Sequence, residues 1–360
     1  MKKIILVLLL VICIIFPLSA QSRGIVIPNL NGYVTLKCDF HIHTVFSDGN
    51  VWPTVRIEEA YREGLDAIAI TDHIDWHPHS KDINGSHNRS YEVAEPTAKS
   101  RGMILVKGCE ITRNMPPGHF NAIFLTDVDK LDKPGYMDIF RAAQAQNAFI
   151  FWNHPHWERQ QPDTTLWWPE HTKLLEQGIM QGIEVVNGTY SPEAHQWCLE
   201  KKLTMFGNTD THEPMQVFTS GNHRTMTLVF ARNKTSEAIY EALKERRTAV
   251  YYNQYVIGEE IYLKELFENA VDISVTKTGN TARITFKNKS DLVFNLRETS
   301  HDKRLTYFRN YTLYPYVIRS QSTQTITVRL NDGIESGDVN FVIENFLVEP
   351  STGMKYTVKI

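Results

Sequence analysis

The sequence predicts an α/β fold, a parallel barrel or a distorted relative of one, followed by an all-β domain. Three observations predict it. Between residues 36 and about 252, short runs rich in β-branched and aromatic residues alternate with helix-like segments, about seven or eight times in all. From about residue 272 the pattern changes to alternating strands and polar turns without helical periodicity. A length of 360 residues leaves room for two domains at about 150 residues each.

The predicted barrel strands, in chain order, cover residues 34–40, 67–70, 104–107, 122–125, 148–152, 182–186, 204–207 and 226–230. Helix-like segments between them cover residues 54–63, 136–146, 193–201 and 236–246. The predicted strands of the C-terminal part cover residues 272–276, 283–287, 293–296, 325–330, 339–344 and 354–360. We therefore predict a barrel domain over residues 21–255 and a β-sandwich domain over residues 265–360.

The first 20 residues have the features of a secretory signal peptide. Lys2 and Lys3 precede an apolar run over residues 4–16, and residues 17–20 end in small side chains. The apolar run is shorter than the ~20 residues that a membrane-spanning helix needs. We expect an exported protein, periplasmic or extracellular, that has no membrane contact beyond this signal peptide at residues 1–20.

Composition argues against several classes of function. With 38 Lys and Arg against 41 Asp and Glu, the net charge is -3, so the basic surface expected of a nucleic-acid-binding protein is missing. We therefore expect a small-molecule substrate and no nucleic-acid partner. Four cysteines in a chain of this length cannot form a disulfide scaffold, and Cys38 and Cys109 are interpreted as packed strand residues with inert thiols.

A first group of candidate metal ligands follows the first predicted strand. In the segment DFHIHTVFSDG at 39–49, His41 and His43 are two positions apart, so an extended chain presents both imidazoles on one side. At the carboxyl end of a barrel strand such a pair can bind one metal ion. Asp48 adds a carboxylate, although a turn or an N-cap would also explain an aspartate there.

Further polar residues stand at the ends of other predicted strands. They are His73 after the second strand, Glu110 after the third, His119 before the fourth, His154 after the fifth, and Asp210 with His212 after the seventh. Each residue alone would be typical of a hydrogen-bonded turn. Because the active site of a parallel barrel is built at this rim, their recurrence indicates one shared site.

The number of candidate ligands indicates more than one metal ion. Six imidazoles and three carboxylates exceed what one tetrahedral zinc ion uses, since catalytic zinc takes three protein ligands and a water. Two or three divalent ions are implied. A nitrogen and oxygen donor set without thiolate suits Zn, Mn or Fe.

Together these motifs resemble those of the PHP (polymerase and histidinol phosphatase) metallohydrolases, over residues 34–252. The matching elements are HIH at 41–43, SDG at 47–49, TDH at 71–73, Glu110, His119, NHPH at 153–156 and DTH at 210–212. The export signal, the trailing β-domain, and the segments HRTMTLVFA at 223–231 and RRTAVYY at 246–252 look like the Sb-PDE branch. That branch contains bacterial phosphodiesterases active on organophosphate diesters.

The resemblance implies a distorted (β/α)7 barrel with a trinuclear metal site. His41, His43, Glu110 and Asp210 would bind one ion, and Glu110 would bridge to a second ion bound by His119 and His154. Asp48, His73 and His212 would bind the third ion. Asp48 departs from those family members that carry histidine at this point of the motif.

Such a centre suits phosphoester hydrolysis, because clustered cations lower the pKa of a bound water to ~7 and hold the phosphoryl oxygens. We expect attack by a metal-bridging hydroxide, with His41, His43, Glu110 and Asp210 as the catalytic ligands. Substrate contacts are expected from side chains near strand ends, with a solvated rim as the alternative. These side chains are His156, Arg159, His223 and Arg224.

Two aromatic segments near the motifs have competing interpretations. Trp157, Trp167 and Trp168 lie in the insertion 157–171, which could wall the pocket or anchor the loop to the barrel. The segment 77–87, with three histidines, is interpreted as an exposed loop rather than a further metal site.

Three other functions stay open. The chain could be a phosphomonoesterase, or an amidohydrolase acting on C–N bonds, although such enzymes usually have a lysine where Glu110 stands. It could also be a non-catalytic surface-binding protein, but a relic barrel would be free to lose several of the nine candidate ligands.

Overall fold

The computed structural model of the protein describes residues 24–216, 222–300, 303–307, 314–331 and 333–360. The signal peptide predicted at residues 1–20 lies outside the described residues, so export stays a prediction. Each helix in the described part of the chain is too short or too polar to span a bilayer.

Among the described residues, the barrel part contains eleven strands. They are β1 (Val34–Asp39), β2 (Ala67–Ile70), β3 (Ile104–Ile111), β4 (Phe120–Ile123), β5 (Phe149–Trp152), β6 (Gly182–Asn187), β7 (Thr189–Tyr190), β8 (Thr204–Asn208), β9 (Met226–Ala231), β10 (Thr248–Tyr252) and β11 (Tyr255–Gly258). Its helices are α1 (Pro53–Arg62), α2 (Arg89–Ser100), α3 (Tyr136–Gln144), α4 (Pro169–Glu176), α5 (Pro192–Lys201), α6 (Ser236–Lys244) and, leading into the C-terminal part, α7 (Glu260–Ala270). The C-terminal strands are β12 (Val271–Thr278), β13 (Thr281–Asn288), β14 (Phe294–Glu298), β15 (Leu305–Tyr307), β16 (Tyr316–Ile318), β17 (Thr323–Leu330), β18 (Asp338–Glu349) and β19 (Thr352–Lys359).

The barrel sheet runs β10-β9-β1-β2-β3-β4-β5-β6, and β8 pairs with β6. The pairs β1–β2, β2–β3, β5–β6 and β6–β8 are parallel, as the strand–helix alternation predicts. The α/β class, with a distorted barrel and a C-terminal all-β domain, is confirmed.

The distortion comes from antiparallel strands: β9 runs antiparallel to β1 and β10, and β4 runs antiparallel to both β3 and β5. Only residues 112–119 separate β3 from β4, and no helix lies between them. A parallel pair needs a crossover of a dozen or more residues, so a connection this short returns the chain in the opposite direction. As a result the amino end of β4, not its carboxyl end, lies at the rim where β3 and β5 end.

Phenylalanine side chains fill the interior below this rim. One comes from β5, one from β8 and one from the position directly after β1. Phe151 stacks on Phe206 with ring centroids 4.2 Å apart, and Phe40 meets the edge of Phe206 at 5.8 Å. All three side chains are fully buried. They form a rigid apolar floor. The polar side chains that follow these strands are therefore held in fixed positions above it.

The C-terminal part is a sandwich of two antiparallel sheets, one with β14, β16, β18 and β19, the other in the order β12-β13-β17-β15. Alternate residues of β13, Ala282, Ile284 and Phe286, are fully buried and face the opposite sheet. Strand β18 also pairs in parallel with β11, aligning Val256 with Phe346 and Ile257 with Leu347. The sandwich is therefore joined to the barrel by backbone hydrogen bonds as well as by packing.

Three helices were not predicted: α2, α4 and α7. Helix α2 buries only Ser90, Ala94 and Ala98, so its inward face is marked by small residues rather than by large apolar ones. Helix α4 is a short segment of eight residues. Helix α7 falls in the segment interpreted as a boundary, and its inward side chains Leu263, Leu266 and Phe267 pack between the two parts of the chain.

Candidate metal centre

The nine predicted ligands converge at the rim where β1, β2, β3, β5 and β8 end and β4 begins. His41, His43 and Asp210 form the most compact group. His41 Nε2 lies 3.1 Å from His43 Nε2 and 3.1 Å from Asp210 Oδ1, and His43 Nε2 lies 3.0 Å from the same oxygen. Ligand atoms about 2.0–2.2 Å from one ion are about 3.0–3.5 Å apart, so the three atoms fit a shared cation.

Glu110 lies between two groups of histidines. Its Oε2 atom is 3.4 Å from His41 Nε2 and 3.3 Å from His43 Nε2. Its Oε1 atom is 2.8 Å from His119 Nδ1 and 3.6 Å from His154 Nε2. A carboxylate with one oxygen toward each group has the position of a bridge between two ions.

Asp48, His73 and His212 form a third group on the outer side of His43. Asp48 Oδ1 is 3.3 Å from His73 Nε2 and 3.2 Å from His212 Nε2. The imidazole of His212 stacks on that of His43 with centroids 4.2 Å apart, and its Nδ1 atom contacts the Asp210 carbonyl oxygen at 2.8 Å. That contact leaves Nε2 of His212 directed at the shared space.

Several buried carboxylate oxygens of the site lack a well-aligned hydrogen bond from the described residues and have imidazole nitrogens as their close polar neighbours. They include Asp48 Oδ1, Glu110 Oε1 and Asp210 Oδ1. A buried carboxylate oxygen without a donor is costly unless a cation satisfies it. The donor set and the orphaned oxygens therefore fit divalent metal ions, and three overlapping groups of these side chains can each hold one.

Without ions, protons balance the charge of this cluster. Burial alone would lower the pKa of His73, but the neighbouring Glu110 and Asp48 raise it to about 10. Burial likewise opposes the protonation of His41, yet Asp210, Glu184 and Glu110 raise its pKa well above the ordinary value. Despite burial, His73 and His41 lower the pKa of Glu110 well below its ordinary range. At neutral pH the ion-free site thus has charged imidazoles and charged carboxylates.

Metal binding should therefore release protons. A metal ion needs the imidazole lone pair, so at pH 7 it must displace the His73 proton, and the apparent affinity should rise with pH toward about 10. Because its pKa is raised, protonated His73 also stabilises the ion-free fold. This stabilisation is complete below about pH 6.5 and is lost as the pH rises to about 10. Calorimetric titration with Zn²⁺ in buffers of different ionisation enthalpy should give at least one proton released per chain at pH 7. The variant His73→Ala should release fewer, and an equal count would contradict the expectation.

The buried Glu184 orients two of the candidate ligands. Its Oε1 atom is 2.8 Å from His41 Nδ1, and its Oε2 atom accepts from the backbone N–H of His154 at 2.8 Å. The amides of Asn187 and Asn208 donate to the same carboxylate at 2.8 and 2.9 Å. Because Nδ1 of His41 donates to Glu184, Nε2 is left as the metal-binding atom. Glu184 was not among the predicted site residues, although a carboxylate inside the apolar run of β6 indicates a buried charge that needs a partner.

Replacing Glu184 by glutamine is expected to weaken metal binding about 10- to 100-fold, the usual effect of losing a carboxylate behind a metal-bound histidine. Competition with a chromophoric chelator measures the affinity. Glu193→Gln, in the first turn of α5, is the matched control and should bind metal like the parent. An unchanged affinity in Glu184→Gln would mean that the carboxylate does not fix the His41 tautomer.

The backbone at the site is held in uncommon conformations. His154 has φ 29° and Asp210 has φ 52°. Both values are positive, a region of backbone conformation in which residues other than glycine are strained. Gly49 packs against the chain after β1, since a Cβ atom there would lie 2.8 Å from the His43 carbonyl carbon and the Thr44 nitrogen. The glycine of the SDG motif therefore lets Asp48 approach His43.

A buried arginine of α1 connects two loops of the site. Arg56, 1% exposed, donates five hydrogen bonds, which end on the carbonyl oxygens of His43, Thr211, His212 and Glu213 and on the Glu59 carboxylate. Glu59 in turn accepts from the backbone of Met215 at 2.9 Å. The helix thus fixes the loop with His212 against the loop with His43, which sequence analysis did not predict.

The ligands open into a cleft of about 1050 Å³. His156, Arg159 and Trp157 line it, and His156 Nε2 lies 2.6 Å from the Thr189 hydroxyl. Trp157 meets the rings of His119 and His154 edge-on at 5.6 and 5.1 Å. Trp157 therefore walls the cleft, whereas Trp167 packs behind it against Trp152 and Trp197.

Two predicted substrate contacts lie elsewhere. Arg224 is 2% exposed, and its guanidinium donates to Asp39 at 2.6 Å and to the Thr209 hydroxyl at 3.2 Å. His223 stacks on Tyr251 with centroids 3.6 Å apart. Neither lines the cleft. Both precede β9, which is antiparallel to β1 and so begins at the same rim, but Arg224 turns to Asp39 and His223 to Tyr251. The charge of Arg224 is thus paired with that of Asp39, and the expected contacts of His223 and Arg224 with the phosphate stay predictions.

The comparisons agree with both parts of the chain. Residues 269–359 match the model of an Ig-like domain family, DUF5001. A solved structure from Bacteroides vulgatus is 50% identical, with a TM-score of 0.91 over 94% of this chain and 99% of that one. It is described as a two-domain protein containing a predicted PHP-like metal-dependent phosphoesterase.

Two curated proteins match more weakly. One is a 5'-3' exoribonuclease of Haemophilus influenzae, 35% identical over 81 residues, which are 22% of this chain. The matched region spans about a quarter of the exoribonuclease's length, 25%. The other is an uncharacterised protein of Methanocaldococcus jannaschii, 24% identical over 212 residues, or 50% of this chain and 83% of that protein.

Proposed function

The chain belongs to the PHP-like metal-dependent phosphoesterases, and from this membership we propose that it is a phosphodiesterase acting on small molecules, similar to the Sb-PDE branch. The convergence of imidazoles around Glu110, at the floor of an open cleft, is the observation that carries the proposal. We further propose that the mature protein works outside the cytoplasm, from the signal peptide predicted at residues 1–20.

The charge of the cleft supports a diester over a monoester. Among the described residues that line it, Arg159 is the only lysine or arginine, and Glu158 stands beside it. A phosphate monoester carries about -1.5 to -2 charge at pH 7, whereas a diester carries a single charge. A described rim with one guanidinium offers a single cationic side chain, which matches the single charge of a diester.

The same charge distribution supports a small substrate over a nucleic acid. Binding along a polyanion uses a row of lysines and arginines that neutralise successive phosphates. Arg159 alone, with Trp157 and Trp76 nearby, offers one anion contact and aromatic walls. This arrangement suits an ester with an aryl or a heterocyclic arm.

His41, His43, Glu110 and Asp210 would hold one ion, Glu110 with His119 and His154 a second, and Asp48 with His73 and His212 a third. Zn, Mn or Fe bound there would supply Lewis-acid charge for the phosphoryl oxygens and would activate water as the nucleophile.

The chain's own residues orient this chemistry. Glu184 holds the Nδ1 proton of His41, and Arg56 keeps the loops of His43 and His212 in contact. Burial, and then the neighbouring His154, lower the pKa of His156, so this ring is neutral at neutral pH. Its Nε2 atom lies 2.6 Å from the Thr189 hydroxyl, so the neutral ring and Thr189 form one polar wall of the cleft. Trp157 covers His119 and His154 and limits their exposure to bulk water.

The rival functions differ in measurable ways. An amidohydrolase would cleave C–N bonds, and Glu110 in place of the usual lysine argues against it. A non-catalytic binding protein would need no ions, so metal analysis giving less than one ion per chain would favour it. The nine candidate metal ligands that converge at the rim support a catalytic centre instead.

The experiment is a comparison of bis(p-nitrophenyl) phosphate with p-nitrophenyl phosphate, using protein loaded with Zn²⁺ or Mn²⁺. We expect kcat/KM for the diester to exceed that for the monoester by about tenfold or more, because only the monoester carries the second charge. A preference for the monoester would make the protein a phosphomonoesterase. Failure to hydrolyse either ester with the ions bound would contradict the proposed function.

A further inference from the structure

A second hollow adjoins the metal centre at His73. It has a volume of about 370 Å³, within the range of small-molecule pockets at about 300–1,000 Å³. His77, His87, Ser80 and Ser86 give it a polar lining, and Phe46 and Ile83 add apolar walls. His73, the candidate ligand between Asp48 and Glu110, lines both this hollow and the large cleft.

The hollow is preformed by its own loop. The rings of His77 and His87 lie 5.0 Å apart, and backbone bonds from Ser80 to His77 and from Ile83 to His79 fold the loop between them. On the other side, Ser86 Oγ and the backbone N–H of His87 donate to Asp129 at 2.6 and 2.7 Å. A binding partner would therefore meet a structured wall rather than have to order it.

The chemistry of the lining selects a neutral, hydroxyl-bearing group. Two imidazoles and the Ser80 hydroxyl offer donors and acceptors, whereas the Ser86 hydroxyl is used by Asp129 and Asn88. No lysine or arginine of the described chain lines the hollow, and Asp72 does. The carboxylate of Asp132 lies 4.0 Å from His87 Nε2. Carboxylates on this side disfavour a further anion, such as a second phosphate.

We propose that this hollow binds the second arm of a phosphodiester, and that this arm is a small polyol such as a glyceryl or sugar group. The proposal rests on the proposed phosphodiesterase function. The ester oxygens of a tetrahedral phosphorus point in different directions, so a diester held at His73 must send its two arms into different spaces. The cleft with Trp157 and Trp76 takes the aromatic arm, and the hollow with His77 and His87 takes the hydroxylated arm.

The test uses two diesters with the same leaving group, glyceryl p-nitrophenyl phosphate and methyl p-nitrophenyl phosphate. In both, the oxygen of water bonds to phosphorus, the P–O bond to p-nitrophenolate breaks, and a monoester remains. The measured quantity is the ratio of kcat/KM for the glyceryl ester to that for the methyl ester. We expect a ratio of about ten or more in the parent enzyme, from hydrogen bonds that only the glyceryl arm makes.

Variants of the lining should lower that ratio. His77→Ala and His87→Ala remove donors and acceptors, and Ile83→Trp fills the hollow. Each is expected to reduce the ratio about five- to tenfold. His79→Ala changes a half-buried histidine of the same loop that does not line the hollow, and it should keep the parent ratio. Partial misfolding of a variant lowers kcat/KM for the glyceryl and the methyl ester by the same factor, so it does not change their ratio.

The outcomes separate the two proposals. If neither ester is hydrolysed by the metal-loaded parent, the phosphodiesterase function fails and the subsite fails with it. If both esters are hydrolysed with a ratio near one, or with the same ratio in every variant, only the polyol subsite is overturned. A lower ratio in His77→Ala, His87→Ala and Ile83→Trp, but not in His79→Ala, supports it.

Discussion

Replacing Glu110 by glutamine is expected to lower phosphoester hydrolysis on the order of a thousandfold. The substitution keeps the shape of the side chain but removes one charge from a carboxylate that is 1% exposed and contacts His41, His43, His73 and His119. An amide cannot bridge two cations as a carboxylate does, so at least one ion should be lost as well. The measurements are kcat/KM with bis(p-nitrophenyl) phosphate and metal content by mass spectrometry.

The control for Glu110→Gln is Glu237→Gln, which makes the same chemical change in the exposed first turn of α6. It should retain the parent rate and the parent metal content. If Glu110→Gln kept more than about a tenth of the parent activity, Glu110 would not be the centre of the site.

Replacing Arg56 by alanine should produce the largest loss of stability, about 3–5 kcal/mol in the free energy of unfolding. The change leaves the Glu59 carboxylate, 4% exposed, without its partner at 2.9 Å. It also removes the donors from the carbonyl oxygens of His43, Thr211 and His212. Because these carbonyls belong to the loops with candidate ligands, metal affinity should fall together with stability.

Urea unfolding of the ion-free protein checks the Arg56 prediction without interference from the metal. Arg89→Ala in the first turn of α2 is the control, since that side chain is 53% exposed and its partner Glu92 is 50% exposed, and it should cost at most about 1 kcal/mol. Arg56→Lys should recover only part of the loss, because one ammonium cannot replace a guanidinium that donates five hydrogen bonds. A loss for Arg56→Ala no larger than that for Arg89→Ala would show that the loops are held by other contacts.

The sequence was sufficient for the strand pattern and for the convergence of the ligands. Buried barrel strands are short apolar runs, and polar residues directly after them must lie at the rim, so His41, His73, Glu110 and His154 could be placed together. The antiparallel direction of β4 was not predicted, because it depends on the short connection after Ile111.

Residues that act through other residues were harder to find. Arg56 and Arg224 are both buried arginines, yet nothing local distinguishes them from surface arginines, since their partners are far away in the sequence. Asp39 lies 185 positions from Arg224, and the His212 carbonyl lies 156 positions from Arg56. The pairing of β18 with β11 is long-range in the same way and carries no local pattern.

The most direct test is a crystal structure of the metal-loaded protein with phosphate, with data collected on both sides of the metal absorption edge. We expect two or three anomalous peaks around Glu110, with its two oxygens bound to different ions and phosphate oxygens in contact with them. A single ion that Glu110 does not touch, or no ion within reach of His41 and His43, would contradict it.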